Sequence, residues 1–120
     1  MHFAALVVTG LVAVLHAWFL TLEMFLWEKP IGLKTFAMDA QKAATTSVLA
    51  KNQGLYNGFP VAGLVWAMLH PDPGVQAQLL RFFLGCVIVA GAYGAATVSK
   101  RIFMVQAVPA ILALVLASLA

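Results

Sequence analysis

Charge is scarce in this chain: among 120 residues there are four acidic side chains and seven Lys or Arg, 9% in all. That is too little polar surface for a domain bathed in water, so the expected solvent for most of the molecule is lipid. Cysteine is scarcer still. The single Cys86 excludes an intrachain disulfide and, in the middle of an apolar stretch, reads as small apolar packing. Cys-x-x-Cys, His-Glu-x-x-His, a phosphate loop and a nucleophile elbow are all missing, so no metal and no other cofactor is expected. Neither an internal repeat of ~20–50 residues nor a low-complexity tract is visible. The first apolar run lacks a basic leader, is too long for a signal peptide and has no small-residue cleavage site after it. It reads as a retained helix.

What fills the chain is apolar: 63% of residues are hydrophobic and the mean hydropathy is +0.98. A helix needs roughly 20 apolar residues to cross a bilayer, and the blocks divide into helices at about 3–27, 43–69, 77–98 and 102–119. The expected fold class is all-α, an integral membrane four-helix bundle forming one transmembrane domain over 1–120. Lys29, Lys34, Lys42 and Lys51 lie in or beside the first connection and Lys100 and Arg101 in the third, whereas the second side carries Arg81. Basic loops stay cytoplasmic, which places both termini outside a bacterial inner membrane. His70-Pro71-Asp72-Pro73-Gly74 then forms a tight external turn. The net charge of +3 is a topology signal and a contact with anionic membrane lipids, with no nucleic-acid partner implied. Between the first two helices Pro30 and Gly32 break the pattern. Ile31, Leu33, Phe36 and Met38 around Lys34 suit a segment lying in the interface, and Asp39 is placed to cap the next helix.

Polar groups inside apolar helices face a partner or a site. In the first helix His2, Thr9, His16 and Glu23 recur every seven residues, which keeps them near one face. The second helix carries Asn52, Gln53, Tyr56 and Asn57 within the run KNQGLYNGFP, where breaking the helix at Asn57-Gly58 would leave too short a remainder to span. Pro60 frees the carbonyl of Tyr56 and favours a kink. Small residues in the third helix, Ala90 with Gly94 and Gly91 with Ala95, permit close helix approach. The fourth helix supplies Gln106 and Pro109, then Ala110, Ala113 and Ala117 on one side. Counting ~1.5 Å per residue from the cytoplasmic end puts Glu23, Asn52 to Asn57, Tyr93 and Gln106 within about 10 Å of that interface, with His16 deeper as a floor. The expected ligand site is therefore His16, Glu23, Asn52, Gln53, Tyr56, Asn57, Tyr93 and Gln106. His16 and Glu23 lie ~10 Å apart along the axis, too far to share a metal ion.

Four stretches carry a resemblance: LEMFLW at 22–27, LAKNQGLYNGF at 49–59, FFLGCVIVAGAYGAAT at 82–97 and VQAVPAILAL at 105–114. Together they resemble a family of small four-helix membrane proteins of bacteria and fungi, catalogued as domain of unknown function 1304. The resemblance implies fold and membrane location, and gives indirect weight to Glu23, Asn52, Gln53, Tyr56, Asn57 and Tyr93. More distantly, the chain is similar to the membrane-associated eicosanoid and glutathione enzymes. Tyr56 stands roughly where their second helix has a glutamate, and their glutathione-holding arginines are missing.

Three functions remain open at this level. The first is binding or transport of a small polar or amphiphilic ligand by a homo-oligomer. The second is a membrane enzyme acting on a lipid-soluble substrate, with Glu23 as catalytic acid or base and Tyr93 or the amides orienting the substrate. The third is an accessory subunit whose polar network, such as a Glu23–Lys51 pair, serves assembly alone.

Overall fold

The structure is a computed structural model and describes residues 3–97 and 100–119, apart from the side chains of Ile102 and Phe103. Every element among the described residues is helical. In order they are α1 (Phe3–Met24), α2 (Pro30–Thr35), α3 (Ala40–Leu69), α4 (Pro73–Thr97), α5 (Lys100–Ile102), a π-helical turn (Phe103–Ala107) and α6 (Val108–Leu119). Two of them, α1 and α4, are long and apolar enough to cross a membrane. The 30-residue α3, diluted by Lys42, Lys51 and its carboxamides, does not reach that standard, and Met104–Leu119 is apolar but shorter. Contacts divide the chain into two compact units, Leu15–Phe59 and Met1–Val14 with Pro60–Ala120. The helices α1 and α3 contribute to both.

In the unit Leu15–Phe59, α1 ends at Met24 rather than near 27. The Thr21 carbonyl accepts from both the Phe25 and Leu26 amides, at 3.0 and 3.2 Å, which closes the last turn. Trp27 turns back: its indole N–H donates to Thr46 Oγ1 at 3.1 Å, and its ring centroid lies 4.8 Å from that of Phe36. Pro30 opens α2 at the first helical position, where its missing N–H costs nothing. A Cβ on Gly32 would collide with the carbonyl oxygens of Leu26 and Trp27, so α2 can lie this close only through glycine. Its C-terminus is a Schellman motif in which the Met38 amide reaches the Leu33 carbonyl at 2.9 Å and that of Ala37 reaches Lys34 at 3.4 Å. Ala37 takes the left-handed position with φ 52°, one that favours glycine. Asp39 Oδ1 then accepts from the Lys42 amide at 2.7 Å, the cap expected for it, and α3 starts at Ala40 rather than 43.

The other unit is built on α4. Asp72 Oδ1 accepts from the Gly74 and Val75 amides at 2.8 and 3.1 Å, so Pro73 becomes the first helical residue and α4 begins four residues before the expected 77. The turn is correspondingly shorter than His70 to Gly74. The other expected end, Val98, lies outside the described residues, as does His2. Gln76, buried, donates to the carbonyls of Ala67 and Met68 at 3.1 and 3.3 Å, satisfying the end of α3. Val12, Leu64, Leu80, Leu84, Val87, Ala110 and Ala113 make the core, with the expected alanine side of α6 facing it and Ala117 packed beside it. The expected fourth helix, 102–119, begins earlier, at Lys100, and contains the π turn. Pro109 removes the N–H that would bond residue 105 and crowds that carbonyl, and a local widening relieves both. At Gly91 a Cβ would come 2.8 Å from Ala107 Cβ, so the small residue serves an approach within the chain. Cys86, expected in packing, is exposed on α4.

Candidate functional site

The heptad seam of α1 is buried at each described position: Thr9 is 0% exposed, His16 2% and Glu23 9%. A matching seam runs along α3. Ala43, Ala50, Asn57 and Leu64, again seven apart, are all buried, so α3 presents one polar side chain in an otherwise apolar row.

Within the unit Leu15–Phe59 these rows meet at Glu23 and Asn57. The Asn57 amide donates from Nδ2 to Glu23 Oε1 at 2.5 Å, with Asn57 8% exposed. Two glycines set the approach. A Cβ on Gly54 would come 2.5 Å from Met24 Cγ, 3.1 Å from Glu23 Cβ and 3.2 Å from the Leu20 carbonyl oxygen, and one on Gly58 would come 3.1 Å from Leu20 Cδ1. Gly54 and Gly58 are four apart, the spacing that lets two helix backbones draw together in lipid. Sequence reasoning passed over them; the signal was the Gly-x-x-x-Gly hidden inside the polar run.

Glu23 is held through one oxygen. Its Oε2 has no hydrogen-bond partner among the described residues. Lys51 is exposed and forms no ion pair with Glu23 among the described residues, so the carboxyl's partner is a neutral amide rather than the cation of the assembly-only alternative. An amide donor can serve both the ionised and the protonated carboxyl, which leaves Oε2 as the position where a proton or a ligand donor can be exchanged.

The remaining expected residues divide. His16 is buried within this unit, its ring edge-on to Phe19 with centroids 5.9 Å apart. Asn52, Gln53 and Tyr56 are exposed, so of the four residues in KNQGLYNGFP the structure brings Asn57 alone to Glu23. Asn52 satisfies its amide on its own helix, donating to the Val48 carbonyl at 3.0 Å. Tyr56 lies beside Phe59, ring centroids 6.0 Å apart. Tyr93 and Gln106 belong to the other unit; Tyr93 is 71% exposed on α4 and Gln106 half-buried in the π turn. No group of three or more His, Cys, Asp or Glu able to hold a metal ion is found among the described residues.

The family described as "Protein of unknown function (DUF1304)" matches residues 10–118. The chain belongs to this family. It is 32% identical over 117 residues, 96% of this chain and 97% of the relative, to the "Uncharacterized protein YpaA" of Lactococcus lactis subsp. lactis (strain IL1403). No solved structure matches the chain. Membership covers α1 from Gly10, the whole of α2 to α4 and nearly all of α6, and so includes Glu23, Gly54, Asn57 and Gly58.

Proposed function

We propose that this family member is a multi-pass protein of the bacterial cytoplasmic (inner) membrane. In this reading it binds or carries a small polar or amphiphilic ligand at the Glu23–Asn57 pair. Four spans form one transmembrane domain, both termini lie outside, and the chain works as a homo-oligomer. Support for the membrane placement is compositional. Beyond α1 and α4, residues 52–69 and 102–119 carry no Asp, Glu, Lys or Arg, each covering about 27 Å at 1.5 Å per residue, close to a bilayer's hydrocarbon thickness. The observation that carries the site is the carboxyl of Glu23, nine-tenths buried, held through Oε1 by a neutral amide, with no partner for Oε2 among the described residues. A carboxyl in that setting exchanges a proton or accepts a donor from a ligand without first breaking an ion pair.

A specific observation also favours a second reading, a polar fastening in an accessory subunit: Gly54 and Gly58 bring backbone and side chains close on both sides of the pair. Purification of wild-type and Glu23→Gln protein in the same detergent, followed by extraction and mass spectrometry, separates the two. Ligand binding requires a small molecule that accompanies the wild type and is lost from a folded Glu23→Gln variant. Identical extracts from two equally stable proteins would leave the fastening as the function of the pair. Turnover of a lipid extract by wild type and not by Glu23→Gln would move the assignment to catalysis.

A further inference from the structure

Away from the Glu23–Asn57 pair, the unit Leu15–Phe59 contains a cavity of about 320 Å³ at the level of the first connection. One wall is apolar, made by Met24, Phe25 and Trp27 at the end of α1. The polar part of its lining is Glu28 and Lys29 from the turn and Ser47 and Lys51 from α3. Ser47 and Lys51 are four residues apart and so share a helix face. The wall is held in place, because Trp27 is fixed by its hydrogen bond to Thr46 and its ring contact with Phe36. Thr46 is anchored in turn by donating to the Lys42 carbonyl at 2.7 Å.

We propose that this cavity takes the headgroup of an anionic glycerophospholipid. Two lysines and a serine in one lining suit a phosphodiester, for which lysine is a point-charge partner. The carboxylate of Glu28 repels a bare phosphate but accepts hydrogen bonds from the hydroxyls of a glycerol headgroup. The apolar wall offers nothing to an inorganic ion and matches the start of the acyl chains, and Phe25, 67% exposed, extends that surface at the mouth. The volume is at the low end for small-ligand pockets, enough for a headgroup and not for a whole lipid. This inference rests on the membrane placement proposed above and is independent of what binds at Glu23.

The full chain, purified and delipidated in neutral detergent, is titrated with short-chain phosphatidylglycerol, short-chain phosphatidylcholine and inorganic phosphate, following thermal stabilisation. Phosphatidylglycerol is expected to bind best. The double variant Lys29→Gln/Lys51→Gln weakens it by about 30-fold, at ~1 kcal/mol for each lysine lost. Lys34→Gln/Lys42→Gln, which removes the same charge outside the cavity, changes it about twofold or less, and Ser47→Ala, a milder variant, lowers it a few-fold. Equal losses from both lysine pairs would overturn the cavity in favour of diffuse surface attraction, and binding of inorganic phosphate as tight as the lipid would overturn the lipid. Alkaline carbonate washing of membranes separates the two readings. A chain released by the wash defeats the membrane placement itself, whereas a retained chain that does not distinguish phosphatidylglycerol from phosphatidylcholine defeats the headgroup site alone.

Discussion

Asn57 donates the hydrogen bond that Glu23 receives, so truncating it leaves a buried carboxyl without its donor. Asn57→Ala is expected to cost about 1–3 kcal/mol, the penalty of an unsatisfied buried polar group, seen as a lower melting temperature in detergent. Glu23→Gln keeps an acceptor for Asn57 and should cost less than about 1 kcal/mol. Ala37 gives the opposite sign. With φ 52° it holds the left-handed position of the Schellman motif, and Ala37→Gly should stabilise by about 1 kcal/mol. At this scale the sequence was legible in part. The burial of Thr9, His16 and Glu23 follows from polar residues seven apart, because a rare residue type marks the face. The facing row on α3 was illegible, since Ala43, Ala50 and Leu64 do not differ in type from apolar residues of the same helix that are exposed, such as Val48 and Leu55. Counting residues put Asn52, Gln53 and Tyr56 in the same cytoplasmic half as Asn57, but depth says nothing about direction around the helix. Asn52 needs no second helix, because the Val48 carbonyl accepts its amide.

Elements here are placed by caps and by glycines more than by helix propensity. Asp39 and Asp72 each fix a helix start; the first is recognisable from a preceding break, while the second was masked by Pro73 and Gly74, which read as turn residues in isolation. Pro109 reads as lying within a continuous last helix, and the π turn before it at Phe103–Ala107 was not foreseen. The glycines make a sharper test. At Gly54 and Gly91 an added methyl meets atoms within 3 Å, so overpacking of about 1–3 kcal/mol exceeds the helix-propensity gain of ~1 kcal/mol. Gly85 has nothing within 4 Å of an added Cβ. Gly54→Ala and Gly91→Ala should therefore lower thermal stability and Gly85→Ala should leave it equal or raise it by up to about 1 kcal/mol.

For the whole molecule, a chain with 9% charged residues and family membership over residues 10–118 has to agree with the proposed multi-pass membrane topology. With Cys86→Ser as background, a cysteine at Pro71 should be labelled by a membrane-impermeant maleimide in intact cells, and one at Thr35 only after the membrane is opened. The reverse pattern would invert the topology. The all-helical class was readable from hydropathy because long apolar blocks have few other ways to satisfy their backbone. The division into two compact units was not, since it depends on contacts rather than composition. Glu23 is a buried carboxyl held by a neutral amide, so its reactivity is best read with an apolar carbodiimide that partitions into membranes. Reacted with wild-type protein in liposomes and read by peptide mass spectrometry, it should modify Glu23 ahead of Glu28, Asp39 and Asp72, and Asn57→Ala should not abolish the reaction. An unreactive Glu23, with the three other carboxyls modified first, would contradict the account.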